Sequence, residues 1–424
     1  MSHRAAIFGA LCDKRVTFTN VLFSEDCLNT IQILNQLGAK IAVDHDQKTI
    51  VCEGVGLKGL RASDQLLDVG NSGTAIRLLT GLLAGQPFTS RISGDHSIQN
   101  RPMKRVTAPL ALMGSVIAGD ERNNNVYPTL TIQPTTQLKG IHYEMPIASA
   151  QVKSALLLAG IYASGTTTVT EPLPCRNHTE LMLEAFGYPI QVAGNEISIE
   201  GGHALPGPKA DVIIVPSDIS SAAFSIVGAL MKGGKPGELL LELHNIGVNP
   251  TRSDLLTVLE LMGAKIERVN ERMAGAEPVT DLRIYASELH NISVPEKMVP
   301  NIIDEIPILA MLGLVATGVM SVRHAEELRV KESDRIKSIV QLVLNMGGEI
   351  AEFEDGFELL GPVKIRPFEV QSNGDHRIAM SAIVTGIAAN VPATVHDVAC
   401  INTSFPNFFD CLPWTGAIWS VKGE

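Results

Sequence analysis

Aromatic residues make up only 4% of this 424-residue sequence, too few to furnish the stacking platforms on which single-stranded nucleic acid is bound. Positive charge is also scarce: 34 Lys and Arg stand against 45 Asp and Glu, a net charge of −11. That balance argues against bulk attraction to nucleic acid or to an anionic membrane, while a local arginine cluster could still hold a small anion. The six cysteines, Cys12, Cys27, Cys52, Cys175, Cys400 and Cys411, form no C-x-x-C pair and no metal-ligand spacing. Eleven histidines are scattered without an H-E-x-x-H or H-x-H arrangement, so no metal site is expected. The longest apolar stretch, 306–322, contains Pro307 and stops short of the roughly 18 to 20 residues a membrane span needs. It reads as a buried helix running into a strand. No leader segment is apparent, so reduced thiols and a cytoplasmic location are expected.

What the sequence does have is a large apolar fraction, 45%, and a mean hydropathy of +0.17, which excludes disorder and supports two or three domains. One pattern recurs along it: an apolar helix face, a glycine, then a short strand. It occurs around Gly38, Gly114, Gly187, Gly263, Gly347 and Gly416. The spacing predicts helices stopped by a left-handed glycine, each followed at once by a β-rich segment. The intervals are too long for an ordinary solenoid, whose period is roughly 20 to 50 residues. They fit a larger α/β unit used six times, three in each half. The Gly- and Pro-rich stretch 201–218 supplies a linker signal, so the halves are placed at 1–215 and 216–424.

Several motifs set glycine, amide and arginine at helix starts. In D-V-G-N-S-G-T-A-I-R, 68–77, backbone N–H groups and the first-turn dipole favour an anion, toward which Arg77 could turn. A capped helix with a surface arginine is the competing reading. N-R-P-M-K-R, 100–105, is a basic cluster beside a proline, or a solvated face. S-A-Q-V-K-S, 149–154, offers Ser149 and Gln151 as donors to a bound oxygen, or as caps; Arg176 stands at the next helix start. In the second half Asp304 and Glu305 precede an apolar helix, where they suit capping or a general base. The run 326–335 is dense in charge, and D-H-R, 375–377, opens another apolar helix. Common placement at helix starts in both halves points to one cleft.

The same stretches resemble the 3-phosphoshikimate 1-carboxyvinyltransferase (EPSP synthase) family of enolpyruvyl transferases. The motifs run in family order: S-H-R-A at 2–5, G-N-S-G-T-A-I-R at 70–77, N-R-P-M-K-R-V at 100–106 and A-S-A-Q-V-K-S-A at 148–155. They continue with R-N-H-T-E at 176–180, D-I-S-S-A-A-F at 218–224 and I-D-E-I-P at 303–307. E-E-L-R-V-K-E-S-D-R at 326–335, G-D-H-R-I-A-M at 374–380 and T-S-F-P at 403–406 complete the set. The resemblance implies two globular halves of three βαβαββ repeats each, an inside-out α/β barrel with its active site in the cleft between them. It implies transfer of the enolpyruvyl group of phosphoenolpyruvate to the 5-hydroxyl of shikimate 3-phosphate with release of phosphate. That step belongs to aromatic amino-acid biosynthesis and takes no metal or organic cofactor; a monomer with no membrane or nucleic-acid partner is expected. Carried over residue by residue, Ser149, Gln151, Arg176 and Arg4 hold shikimate 3-phosphate. Gly73, Arg101, Arg335 and Arg377, with Lys331, hold phosphoenolpyruvate, and Asn71 is a further substrate-binding residue. Asp304 takes the hydroxyl proton and Glu332 handles the proton at the methylene carbon, with Lys331 counted among the catalytic groups.

Two departures from the family pattern stand out. The family motif G-D-K-S-[IM]-S-H-R carries a lysine that contacts phosphoenolpyruvate, whereas this sequence begins Met1-Ser2-His3-Arg4. A start assigned too late is the expectation, with Met1 on the Ile/Met position. Taken as given, the sequence lacks a cation and leaves a strand edge unpaired in the second half, and activity would fall severely. Cys175 replaces a Ser or Thr before the arginine, and a thiol is a weaker donor to phosphate. Gly73 leaves room for the inhibitor glyphosate. Two alternatives stay open: the sister transferase acting on UDP-N-acetylglucosamine, whose loop cysteine finds no counterpart here, and a paralogue that binds shikimate 3-phosphate without efficient turnover.

Overall fold

The structure, a computed structural model, describes residues 1–135 and 137–412. It divides into two compact units, Met1–Val215 with Ala274–Glu277, and Pro216–Met273 with the described residues from Pro278 on. Each has its own apolar core.

Six inner helices occupy the cores: α1 (Ser2–Leu11), α2 (Gly73–Ala84) and α3 (Ala150–Gly160) in the first unit, α4 (Ile219–Lys232), α5 (Ile306–Gly313) and α6 (His376–Ala388) in the second. In α2 every residue but Thr74 is buried, and in α5 all eight are. Helices apolar on all sides belong inside a protein rather than on its surface. Close packing sets the sequence of α2. A Cβ at Gly81 would lie 2.6 Å from the Ala155 Cα of α3, so only glycine allows the two backbones to meet there.

A second set of helices, Glu25–Gln36, Lys104–Leu112, His178–Ala185, Asp254–Leu261 and Arg335–Asn345, ends in the predicted way. Two residues past each stands Gly38, Gly114, Gly187, Gly263 or Gly347, with φ between 78 and 98°. The next N–H returns to a carbonyl five residues back, as in Ala39 N to Leu34 O (2.9 Å) and Ala264 N to Leu259 O (2.9 Å). This closure satisfies a carbonyl that a helix end otherwise leaves bare, and its left-handed residue excludes a side chain at little cost only for glycine. The sixth expected copy, around Gly416, lies outside the described residues.

After each glycine the chain forms an antiparallel hairpin that joins strands from the earlier part of its repeat. Leu67–Asp68 and Ser90–Ser93 pair in parallel across α2, and Asn125–Ile132 with Ile117–Arg122 completes that four-stranded sheet. The same βαβαββ order gives the sheet of His142–Glu144, Thr166–Thr170, Glu196–Glu200 and Ile190–Ala193 around α3. The stretch 306–322 is, as read from sequence, α5 followed by the strand Gly318–Val322. The Gly- and Pro-rich stretch 201–218 is more than a linker. It holds the strand Val212–Ile214, paired in parallel with Arg15–Thr19. Among the described residues no helix is long and apolar enough to cross a membrane.

Candidate active site

The first unit gathers its polar groups at the starts of α2 and α3. Ser72 caps α2, its Oγ accepting from Ala75 N at 3.1 Å, and the preceding Gly70 takes φ 59°. Gly73 then matters for what it lacks. A Cβ there would lie 2.6 Å from Arg101 Nη1 and 3.3 Å from Arg77 Nη1, so two guanidinium groups reach a helix N-terminus whose N–H dipoles already favour an anion. Arg101 Nη2 donates to Asn71 Oδ1 (3.3 Å) and Ser97 Oγ (3.4 Å), and Asn71 Nδ2 donates to Asp95 (2.8 Å). Arg77, buried like its helix neighbours, donates through Nη1 to the Gln151 side-chain oxygen and to Gly73 O. Gln151 Nε2 in turn donates to Thr74 Oγ1 at 3.0 Å. Asn71, Gly73, Arg101 and Gln151 therefore form one cluster, with Arg77 as its link.

Ser149 is the cap of α3, accepting from Val152 N at 3.4 Å. A hydroxyl that accepts at a cap keeps its proton to donate elsewhere, so the observed capping is compatible with the donor reading of Ser149. Arg4 lies deeper. It is 7% exposed and donates to Thr179 Oγ1 (2.8 Å) and Ser154 Oγ (3.0 Å). Burial pushes its guanidinium down to about 10, against the pull of Glu180 and Glu277. Arg176 is half-buried two residues before the helix His178–Ala185.

Beside these groups is a buried triad that the sequence reading did not place in the site. Lys153 is 1% exposed and lies 2.7 Å from Glu171 and 2.5 Å from Glu180. Its Nζ also donates to the carbonyl of Cys175 at 3.2 Å. Burial opposes the Lys153 charge, yet the surrounding Glu180, Cys175 and Glu171 hold its proton more tightly than usual. The Cys175 thiol donates to Glu171 at 2.5 Å, and burial pushes it up to about 12. The sequence signal for this triad was weak: a lysine on an apolar helix face, with partners 18 and 27 positions away, has no local pattern.

The second unit concentrates its chemistry around Asp304, in the turn before α5. Lys331 Nζ is 3.6 Å and Arg335 Nη1 3.5 Å from Asp304 Oδ1, while Arg252 Nη1 is 3.6 Å from Oδ2. Arg335 is 1% exposed; it donates to Glu332 (2.6 Å) and grips Asp375 through Nε (2.8 Å) and Nη2 (3.3 Å). Arg377 donates through Nη1 to the Asp304 carbonyl and to Ser220 Oγ, both at 2.8 Å. Asp304, Lys331, Glu332, Arg335 and Arg377 are thus neighbours. Glu305, the residue opening α5, makes no capping bond. Its buried carboxylate accepts from Ser220 Oγ and lies 3.6 Å from both Arg252 and Arg377. Arg329 in the charged run serves structure, bonding Asp334, Glu352 and the Phe353 carbonyl. Burial, with Arg377 and Arg335 nearby, pushes His376 down to about 4. Among the described residues no group of three His, Cys, Asp or Glu is placed to hold a metal ion.

Arg252 was the largest omission of the sequence reading. An arginine before an apolar helix looks like a solvated side chain, and only the fold brings it to carboxylates more than 30 and more than 50 positions away.

Comparison with known proteins covers almost the whole length of the chain. The sequence pattern of EPSP synthase (3-phosphoshikimate 1-carboxyvinyltransferase) matches residues 1–412. The 3-phosphoshikimate 1-carboxyvinyltransferase of Alkalilimnicola ehrlichii is 45% identical over 410 residues, covering 97% of this chain and 90% of its own. That of Shouchella clausii is 45% identical over 413 residues, covering 97% and 93%. The solved EPSP synthase structure from Acinetobacter baumannii superposes with a TM-score of 0.85 at 42% identity, over 97% of this chain and 92% of that one. The expected fold, two units built from βαβαββ repeats, is the fold of these relatives, and nothing found favours the impaired alternative. The chain belongs to the EPSP synthase family, the 3-phosphoshikimate 1-carboxyvinyltransferases.

Proposed function

We propose that the protein joins phosphoenolpyruvate to the 5-hydroxyl of shikimate 3-phosphate and releases inorganic phosphate, as a monomeric cytoplasmic enzyme. The observation that carries the roles of individual residues is the ring of cations about Asp304, with Glu332 in contact with one of them. Both substrates are multiply charged anions, and their mutual repulsion must be offset before they can react. Arginine suits this task because its planar fork matches carboxylate and phosphate oxygens two at a time.

In this reading Ser149, Gln151, Arg176 and Arg4 serve shikimate 3-phosphate. Ser149 keeps a donor while capping, and Arg4 keeps N–H groups beyond the two spent on Thr179 and Ser154. Asn71, Gly73 and Arg101, with Lys331, Arg335 and Arg377, serve phosphoenolpyruvate. Asp304 accepts the proton of the 5-hydroxyl as its oxygen bonds to the central carbon of phosphoenolpyruvate. Glu332 delivers a proton to the methylene carbon, which becomes a methyl group. The tetrahedral adduct then returns a methyl proton to Glu332 and expels phosphate, which leaves with the proton held by Asp304, restoring the double bond and both carboxyl groups. Lys331 and the arginines stabilise the charge on the departing phosphate.

The test is phosphate release by the purified protein given both substrates, with the enolpyruvyl product identified by mass. One phosphate per product is expected, at least a hundredfold less with Asp304→Asn, and none when UDP-N-acetylglucosamine replaces shikimate 3-phosphate. Binding of shikimate 3-phosphate without phosphate release would overturn the reading.

A further inference from the structure

The Arg252 backbone is held by a closely bonded turn, although the residue lies outside the sequence motifs. It follows a turn built on Asn249, itself 2% exposed. Asn249 Oδ1 accepts from Thr251 N (3.0 Å) and Thr251 Oγ1 (2.8 Å), and its carbonyl accepts from Arg252 N at 2.8 Å. The helix that follows is tied down as well, Asp254 accepting from Asn301 Nδ2 at 2.8 Å. Asn301 lies three residues before Asp304, so the guanidinium and the carboxylate it meets are fixed by one small framework.

That guanidinium, 11% exposed, stands among three carboxylates: Asp218 at 3.7 Å, Asp304 at 3.6 Å and Glu305 at 3.6 Å. We propose that Arg252 is a positioning residue for Asp304, orienting its carboxylate and keeping it ionised so that it can receive the substrate proton. The proposal rests on the reading of Asp304 as the base. The surroundings explain why a third cation is needed. Lys331 and Arg335 meet Oδ1 of Asp304, and Arg377 meets its carbonyl. Lys331 is shared with Glu327, and Arg335 with Glu332 and Asp375. Glu305 adjoins Asp304 in sequence, and Asp218 lies beyond Arg252. Among the described residues carboxylates outnumber cations around Asp304, and loss of any one cation leaves that group still shorter of positive charge. Arg252 stands 3.6 Å from the other oxygen, Oδ2, and so draws on the carboxylate atom that Lys331 and Arg335 do not meet. Burial works against its own charge, but Glu305, Asp218 and Asp304 together hold its proton well above the ordinary arginine value.

The experiment is the pH dependence of kcat for the wild type, Arg252→Gln, Arg252→Lys and Asp304→Asn. An opposite charge within a few ångströms lowers a carboxylate pKa by about 1 to 3 units. Arg252→Gln is therefore expected to move the acid limb up by about one pH unit, with a loss near pH 6 that shrinks as pH rises. Arg252→Lys keeps the charge and leaves the limb in place. Asp218→Asn, which still caps α4 and removes a competitor for Arg252, moves the limb the other way by a few tenths; it serves if Arg252→Gln does not fold. Equal losses at all pH values in Arg252→Gln, or an unmoved limb in Asp218→Asn, overturn the proposal. Full activity and an unchanged limb in Asp304→Asn would instead overturn the reading of Asp304, whatever Arg252 does.

Discussion

The Asp375 carboxylate holds Arg335 with both oxygens, at 2.8 and 3.3 Å, while also capping α6 through Arg377 N at 2.9 Å. One buried group thus fixes two arginines proposed to bind phosphoenolpyruvate: the first through its guanidinium, the second through the helix that carries it.

Asp375→Ala is accordingly expected to lower the unfolding free energy by roughly 3–5 kcal/mol, the range for stripping one partner from a buried ion pair. Burial would raise the Asp375 pKa, but Arg335 outweighs it and holds the carboxyl below its usual range. A depressed carboxyl pKa contributes stability above the unfolded value, about 3.9, and loses it as pH falls through the folded one. Urea midpoints at pH 7 and pH 3 check both statements: the gap between wild type and variant should narrow in acid. A constant gap would be the wrong result for this account.

Gly73→Ala puts a methyl group 2.6 Å from Arg101 Nη1. The helix gains a better former and the arginine end can move aside, so folding should survive. The displaced guanidinium is expected to raise KM for phosphoenolpyruvate about tenfold, a loss of one or two hydrogen bonds to a charged group, with KM for shikimate 3-phosphate unchanged. Glyphosate should compete with phosphoenolpyruvate in the wild type and inhibit the variant less. Equal shifts for both substrates would argue against this placement of Gly73.

Lys153→Met leaves Glu171 and Glu180 buried beside an apolar side chain. A loss of about 3–5 kcal/mol is expected from the orphaned carboxylates, measured by denaturant unfolding. Because Lys153 also holds the Cys175 carbonyl next to Arg176, KM for shikimate 3-phosphate should rise. Lys153→Met with wild-type stability would show that the triad contributes nothing net.

Buried histidines give the protein a second acid sensitivity. Burial pushes His178 down to about 4 despite its bond to Glu277, and His376 likewise to about 4. A histidine with a folded pKa below its unfolded value, about 6.5, contributes stability above pH 6.5. That contribution drains away as pH falls toward 4. His178→Gln, which can still donate to Glu277, is expected to be the less stable of the two at pH 7.5 and to close on the wild type by pH 4.5. Urea unfolding across that range decides the matter.

Glycine stops were legible in the sequence because they are local: a helix face, a left-handed residue and a strand fit within about ten residues, and Gly38, Gly114, Gly187, Gly263 and Gly347 fall as read. The motif residues around Asp304 were legible through resemblance, which named Lys331, Glu332, Arg335 and Arg377 as site residues before any coordinates did. Arg252 and Lys153 were not. Each carries a common charge in an ordinary helical setting, and its meaning lies in carboxylates brought near by tertiary packing. Asp304 and Glu305 divide the lesson between them, adjacent and chemically alike, one partly exposed among cations and the other sealed beneath Ser220.

Gly81 lies one helical turn beyond Arg77, and Ala155 one turn beyond Gln151. The backbone crossing of α2 and α3 therefore sits directly beneath the Arg77–Gln151 bond. The spacing of the polar groups at the head of these two helices is gauged by a junction that contains no polar side chain. Prising it apart with a single methyl group at position 81 would widen the anion cradle from below, leaving every group that lines it chemically intact.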